Sequence, residues 1–395
     1  PISADEISRA QALKEAGTPA RANRWMISAA NPLAVRAGGD VLARGGSAAD
    51  AMVAVQAVLG LVEPQSSGLG GGAFLVWYDA ERGMTTTLDG RETASRHVTP
   101  ELFLDDDGTP LKFFDAVVGG RSVGVPGTPA LMVDAHKRWG KLPWPELFKD
   151  GIALARDGFA VSPRMAFLVA YDQERLSRFA RAAEYFYPGG VAVTPGYMLK
   201  NEGYAQTLLS LAADKGQSFY HGAIAEDIVQ TVQMAAGNPG VLDEVDLAGY
   251  RVKERAPVCA AYRGFDICGM GPPSSGGLTV GQILGMVAGY DIGAMGPDSA
   301  DAWRIIGDAS RLAFADRGRY MADADFVPVP TEGLLDARYL AARGVLLAGD
   351  RALDDIQPGV PPMKVSLDWA DDDSIEFAST SHISIVDQYG NALSM

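Results

Sequence analysis

Ser379-Thr380-Ser381-His382-Ile383-Ser384-Ile385-Val386-Asp387, followed by Gln388-Tyr389-Gly390-Asn391 and Ala392-Leu393-Ser394-Met395, is the stretch on which the reading of the whole chain turns. His382, Ser384 and Val386 alternate with Ile383, Ile385 and Asp387, the period of two expected of a strand, and Asp387 to Asn391 is rich in turn formers. The stretch therefore predicts strand, turn, strand. Ahead of it runs Asp371-Asp372-Asp373-Ser374-Ile375-Glu376, acidic and poor in aromatics, the composition of an exposed linker. A Thr that opens a strand behind such a linker can become a nucleophile once the bond before it is cut, because its own freed α-amine then serves as general base. The bond in question is Ser379-Thr380, and an accessible linker is where a cut is sterically possible. On local pattern alone the signal is weak, because Thr-Ser beside a strand is usually turn or edge-strand chemistry.

Working outward, the chain has 395 residues, 47% of them hydrophobic and 21% charged, which is ordinary globular composition with enough apolar material for a substantial core. No apolar run reaches the roughly 18 to 20 residues of a membrane span, so no membrane partner is expected. The net charge of -15 argues against a nucleic-acid partner, which requires clustered Lys and Arg. The chain opens Pro1-Ile2-Ser3-Ala4-Asp5 with no signal sequence, whether absent or already removed. The four histidines, His97, His136, His221 and His382, have no partners at metal-ligand spacing, and neither a metal nor a cofactor is expected.

The two cysteines, Cys259 and Cys268, flank Tyr262-Arg263-Gly264-Phe265. If Arg263-Gly264 is a two-residue hairpin turn, 259 and 268 face each other as a non-hydrogen-bonded pair, close enough for a disulfide. A longer turn would spoil the register and leave two buried free thiols. Both readings stay open here.

In chain order, residues 5–16 read as a short polar helix and Met26 to Ala30 as a buried strand ended by Asn31-Pro32. A helix from Leu33 stops at Gly45-Gly46, and Ser47 caps a second, from Ala51 to Val62, that is apolar almost all round. Ser67-Gly68-Leu69-Gly70-Gly71-Gly72-Ala73 formally contains a G-x-G-x-x-A dinucleotide fingerprint, but that needs a strand before it and a helix after it. The order here is the reverse, which excludes the dinucleotide reading. Phe74 to Tyr78 and Met84 to Leu88 form a hairpin that delivers Asp89-Gly90-Arg91-Glu92. An Arg just past a strand end suits bidentate capture of a carboxylate; a surface pair with Glu92 is the structural alternative. Asp105-Asp106-Asp107-Gly108 lacks the further oxygen ligands of a calcium loop and reads as a turn. Ser274 and Ser275 are placed to cap a helix from Leu278 to Val287, and a helix from Ala300 to Ala315 is expected to end at an Asp316-Arg317 ion pair that fixes a turn.

Seven blocks occur in order along nearly the whole chain: Asn31-Pro32-Leu33-Ala34, Gly45-Gly46-Ser47-Ala48-Ala49-Asp50-Ala51, Ser67 to Gly72, Asp89 to Glu92, Val125-Pro126-Gly127-Thr128, Pro272-Pro273-Ser274-Ser275-Gly276-Gly277 and Ala315-Asp316-Arg317. Together with Thr380-Ser381-His382 they resemble the γ-glutamyltransferase family. The resemblance implies an α/β fold, a four-layer αββα sandwich of the N-terminal nucleophile hydrolase type. It implies that residues 1–379 are the large-subunit part, with 366–379 as an exposed processing linker, and that 380–395 begin the small subunit. It implies Thr380 as catalytic nucleophile, Arg91 as anchor of the substrate's α-carboxylate, a small-molecule γ-glutamyl substrate and a periplasmic or secreted location. Only 15 residues follow Thr380, whereas the family's small subunit runs much further, so the remainder of that subunit is the expected partner in a heterodimer. Two rivals stand beside this reading. One is a glutaryl-type β-lactam acylase on the same fold, and the other an unprocessed, non-catalytic relative.

Overall fold

The computed structural model describes residues 4–364, 368–372 and 380–395. The expected linker 366–379 lies outside the described residues apart from 368–372. In chain order the elements that matter are helices α1 (Ala4–Glu15), α2 (Pro32–Ala43), α3 (Ala48–Val62), α4 (Thr128–Trp139), α5 (Gly276–Val287), α6 (Ala300–Tyr320) and α7 (Ala337–Val345). The strands that matter are β1 (Met26–Ser28), β2 (Ala73–Asp79), β3 (Met84–Gly90), β4 (Lys253–Arg255), β5 (Val258–Tyr262), β6 (Phe265–Gly269), β7 (Ser384–Val386) and β8 (Ala392–Ser394). The chain forms two compact units. One holds residues up to Met84, Asp89–Lys253 and Ser379–Met395, and the other Thr85–Leu88 and Glu254–Ala378.

In the first unit the strands run β1-β7-β8-β2, every pair antiparallel, so the two strands made last lie between two made early. The registers place Ser384 opposite both Ser28 and Ser394, and Ser394 opposite Val76. The alternation read from the sequence holds. Ile383, Ile385, Leu393, Leu75 and Trp77 are buried on one face, where Trp77 stacks on Trp139 of α4 at 4.6 Å. The opposite face carries Met26, Tyr78, Ser384 and Val386 and is exposed. The stretch at Met26 is therefore not the buried strand expected. It is a short outer strand of the sheet, with Met26 and Ser28 on the open face.

Helix α3 is buried along nearly its whole length. It starts as the sequence dictates: Ser47 and Asp50 form a capping box, and the Asp50 carboxylate also accepts the amides of Lys141 and Leu142. The amide of Ala48, at the positive end of this helix, is held by Asp387 Oδ2 at 2.9 Å. Asp387 is itself buried, and its carboxylate accepts from the amides of Tyr389 and Asn391 and from Asn391 Nδ2. Gln388 and Tyr389 donate to the carbonyls of Gly46 and Gly45. The β7–β8 turn is thus fastened to the start of α3 by three of its own side chains, Asp387, Gln388 and Tyr389.

In the second unit β4 lies beside β3, where Thr87 Oγ1 donates to the Arg255 carbonyl at 2.7 Å. The β5–β6 hairpin has the two-residue turn, with Arg263 at φ 50° and Gly264 at φ 85°, and pairs Tyr262 with Phe265 and Cys259 with Cys268. The cysteines are bridged across a Cα–Cα distance of 4.0 Å, which settles the open question of the sequence. Helices α5, α6 and α7 pack around Met286, Ile305, Leu312, Ala313 and Leu340.

Two expectations fail in this unit. Helix α6 continues to Tyr320, so Asp316 and Arg317 lie inside it and mark no turn. The buried Asp316 takes bonds from Gln282, Tyr339, Arg343 and the amide of Gly359, because one carboxylate can knit three segments to a helix where a pair with its neighbour could not. Ser275 precedes α5 without a side-chain capping bond, and its hydroxyl accepts from Arg317 Nε at 3.0 Å instead. Beyond Gly359 the chain returns to the end of α6. Trp369 packs edge-on against Tyr320, Arg319 donates to both carboxylate oxygens of Asp371, and the Asp372 amide bonds the Gly318 carbonyl.

Candidate active site

Thr380 is exposed, four residues ahead of β7 in the first unit, and its hydroxyl donates to the Ser381 carbonyl at 3.3 Å. The ladder extends one pair toward it, since Ile383 and Met395 exchange both backbone bonds at 2.8 and 2.9 Å. Alternation sets Thr380, His382 and Ser384 on the open face of the sheet. His382 Nε2 lies 3.1 Å from Ser384 Oγ and 3.2 Å from Ser394 Oγ, which fixes the face of that side chain. Among the described residues no carboxylate or imidazole is hydrogen-bonded to the Thr380 hydroxyl.

Registers carry the count across the sheet. Ser384 is level with Ser394 and Ser394 with Val76, so β7 and β2 run in the same direction on either side of β8, and Thr380 and Gly72, which precede them, lie toward the same end of the sheet. Gly72 is where Arg91 stands. A Cβ on Gly72 would come within 2.7 Å of Arg91 Cα and of the Glu92 amide, so only glycine lets these backbones meet. The registers thus bring Thr380 and Arg91 to the same end of the sheet.

Several blocks of the sequence converge to hold Arg91. Its amide donates to Asp89 Oδ1, and its carbonyl accepts from the Tyr250 hydroxyl at 2.8 Å. Burial, with the charges of Asp89 and Glu92 behind it, pushes the Tyr250 phenol far above its ordinary pKa, so it remains a donor. Gly127, whose Cβ would fall 2.1 Å from both the Gly90 carbonyl and the Tyr250 hydroxyl, closes the floor, and its amide bonds the Gly71 carbonyl. The side chain is half exposed. Arg91 Nε donates to Glu92 Oε2 at 2.9 Å, and the guanidinium carbon sits 5.4 Å from the centre of the Phe74 ring. Among the described residues the two Nη groups bond nothing. The pair with Glu92 thus exists, and it leaves the outer edge of the fork available.

Tyr250 and Phe74 escaped the sequence reading. Tyr250 is 159 residues from Arg91 in the chain and gives no local signal. Phe74 was legible as a strand residue, but its face follows only from the register.

A sheet backed by helices, with an exposed Thr hydroxyl and a half-exposed Arg at one end, has the character of the N-terminal nucleophile hydrolases. Comparison with known proteins agrees. Residues 34–395 match the family described as Gamma-glutamyltranspeptidase. The glutathione hydrolase proenzyme of Bacillus subtilis (strain 168) is 34% identical over 375 residues, 93% of this chain and 63% of that protein. The acylase ACY 1 proenzyme of Pseudomonas sp. (strain V22) is 35% identical over 382 residues, 95% of this chain and 65% of that protein. The crystal structure of Helicobacter pylori gamma-glutamyltranspeptidase matches with a TM-score of 0.82 at 34% identity, covering 86% of this chain and 97% of that one. The chain belongs to the gamma-glutamyltranspeptidase family and has the family's α/β fold. It spans just under two-thirds of the length of these curated relatives.

Proposed function

We propose that this protein transfers or hydrolyses the γ-glutamyl group of glutathione-like amides through a Thr380 acyl-enzyme, after cutting its own Ser379-Thr380 bond. The observation that carries the reading is that, among the described residues, the Arg91 Nη groups bond nothing and lie at the same end of the sheet as Thr380. In the cut, Thr380 Oγ attacks the Ser379 carbonyl carbon and the acyl group moves from nitrogen to oxygen, which frees the Thr380 amine; water then hydrolyses the ester, releasing the Ser379 carboxylate and the Thr380 hydroxyl. In turnover the amine takes the hydroxyl proton as Oγ attacks the γ-carbonyl, then returns it to the departing amine. Water or an acceptor amine discharges the acyl-enzyme. Arg91 holds the α-carboxylate, so attack becomes effectively intramolecular.

On this reading residues 1–379 are the large-subunit part and 380–395 the start of the small subunit, whose remainder is the partner in a heterodimer. The share of the relatives' length that this chain covers supports that arrangement. The Cys259–Cys268 bridge supports a periplasmic or secreted location, where disulfides persist. Deacylation of a glutaryl-type β-lactam stands as a second reading, because a relative named as an acylase is as similar to this chain as the glutathione hydrolase is. The deciding experiment is Thr380→Ala in the full-length enzyme, followed by intact mass and by turnover of a γ-glutamyl anilide. Loss of both the cut and the turnover is expected, since one oxygen performs both. Persistence of the cut would place the nucleophile elsewhere.

A further inference from the structure

We infer that Phe74 is a specificity-determining residue, the one that turns the Arg91 fork into a receptor for a planar carboxylate; this rests on the proposal that Arg91 binds the substrate. Arg91 has its backbone pinned at both ends, by Asp89 and Tyr250, and its Nε committed to Glu92. These contacts fix where the guanidinium begins, yet they leave it free to swing about its last bonds. The remaining contact is the Phe74 ring, 5.4 Å from the guanidinium carbon. A guanidinium is drawn to an aromatic face by the ring's quadrupole as well as by dispersion, and Arg is the cation that stacks best on such a face. Phe74 shares the open face of the sheet with Val76 and Tyr78, the face on which His382 meets Ser384 and Ser394, so the stack holds the guanidinium on the side where alternation sets Thr380.

The chemical consequence is selectivity for shape as well as charge. With Nε occupied by Glu92, the Nη groups form a two-donor edge, and a carboxylate meets such an edge with two parallel bonds. A carboxamide offers one acceptor oxygen and sets its own N–H groups against the fork. Discrimination between the two requires that the fork be held still, because a mobile guanidinium pays for its ordering on every binding event. Phe74 supplies that restraint without contributing a polar atom of its own.

The test is the ratio of kcat/KM for a γ-glutamyl anilide to kcat/KM for the same compound with its α-carboxylate converted to a carboxamide, measured on the full-length enzyme. In Phe74→Leu this ratio should fall about two- to fivefold, the worth of an exposed cation–π contact, with the loss in KM for the carboxylate substrate. Phe74→Met, a second apolar and non-aromatic variant, should behave alike, whereas Phe74→Trp should keep the ratio. An unchanged ratio in both Phe74→Leu and Phe74→Met, with Arg91→Lys still lowering it, would overturn the assignment of Phe74 alone. A ratio that Arg91→Lys also leaves unchanged would remove the carboxylate anchor beneath it. A ratio lost equally in Phe74→Trp would reduce Phe74 to a packing residue and overturn the inference.

Discussion

Arg91 and Thr380 differ in how much the sequence disclosed about them. An Arg after a strand end, in Asp89-Gly90-Arg91-Glu92, was legible as a carboxylate receptor or as the partner of Glu92, and the structure contains the ion pair and the unused Nη edge together. Residue types could not have decided between the two, because the answer lies in which nitrogen is engaged. Arg91→Lys separates the roles experimentally. Lysine keeps the charge but loses the fork, and each charge-assisted hydrogen bond is worth about 1.5 to 3 kcal/mol. Losing one should cost roughly ten- to a hundredfold in kcat/KM on a γ-glutamyl substrate, with self-cleavage unaffected because no substrate carboxylate takes part in it. Slowed self-cleavage in Arg91→Lys would mean that the residue holds the sheet end together instead. Cys259 and Cys268 allow a simpler check: neither should react with iodoacetamide until a reductant is added, as both are bridged.

At the scale of elements, period and punctuation sufficed for α2, α3, the β2–β3 hairpin and the β5–β6 hairpin, since each is closed by contacts near in sequence. The failures were at sites closed by distant partners. Asp316 looked like the end of a helix because its partners Tyr339, Arg343 and Gly359 lie far along the chain. Asp387 read only as a turn former, yet it also caps α3. Asp387→Ala would leave the buried Ala48 amide without an acceptor and should lower unfolding stability in urea by about 2 to 3 kcal/mol. A change under about 0.5 kcal/mol would show the cap to be replaceable by water.

The returning segment at the end of α6 gives a pH prediction. The hydrogen bonds and charge of Arg319 hold the Asp371 carboxyl below its usual range. A depressed carboxyl contributes stability above its unfolded value, about 3.9, and loses it as the pH falls through the lower folded value. Hydrogen-exchange protection of the Asp372 amide should therefore persist at neutral pH and decline only below about pH 4. Arg319→Ala should abolish that protection at any pH, and undiminished protection in the variant would show that Trp369 holds the segment by itself.

For the whole molecule, the net charge of -15 argued against a nucleic-acid partner, and the order of the seven blocks led to the family. The architecture was less legible, because strand order is a property of the closed sheet and not of any strand. In the described residues one helix-backed sheet of the expected sandwich is present, with its other face open. The choice between γ-glutamyl transfer and β-lactam deacylation belongs to this scale. Full-length enzyme should hydrolyse a γ-glutamyl anilide at least tenfold faster than a glutaryl-cephalosporin if the Arg91 receptor governs, and the reverse preference would select the acylase reading.

The strand order β1-β7-β8-β2 also sets a timetable. When a ribosome has made β1 and β2, the places between them are empty, and the Ala48 amide waits for a carboxylate 339 residues further on. At about 5 to 20 residues per second that interval is roughly 20 to 70 s, during which early strands cannot pair as they finally will. Contacts of such long reach make for slow closure, and a chaperone has cause to hold the nascent sheet. The delay also orders events, since Thr380 arrives with the pair of strands that fills the gap between β1 and β2, and so takes its place in a sheet whose flanking strands are already made.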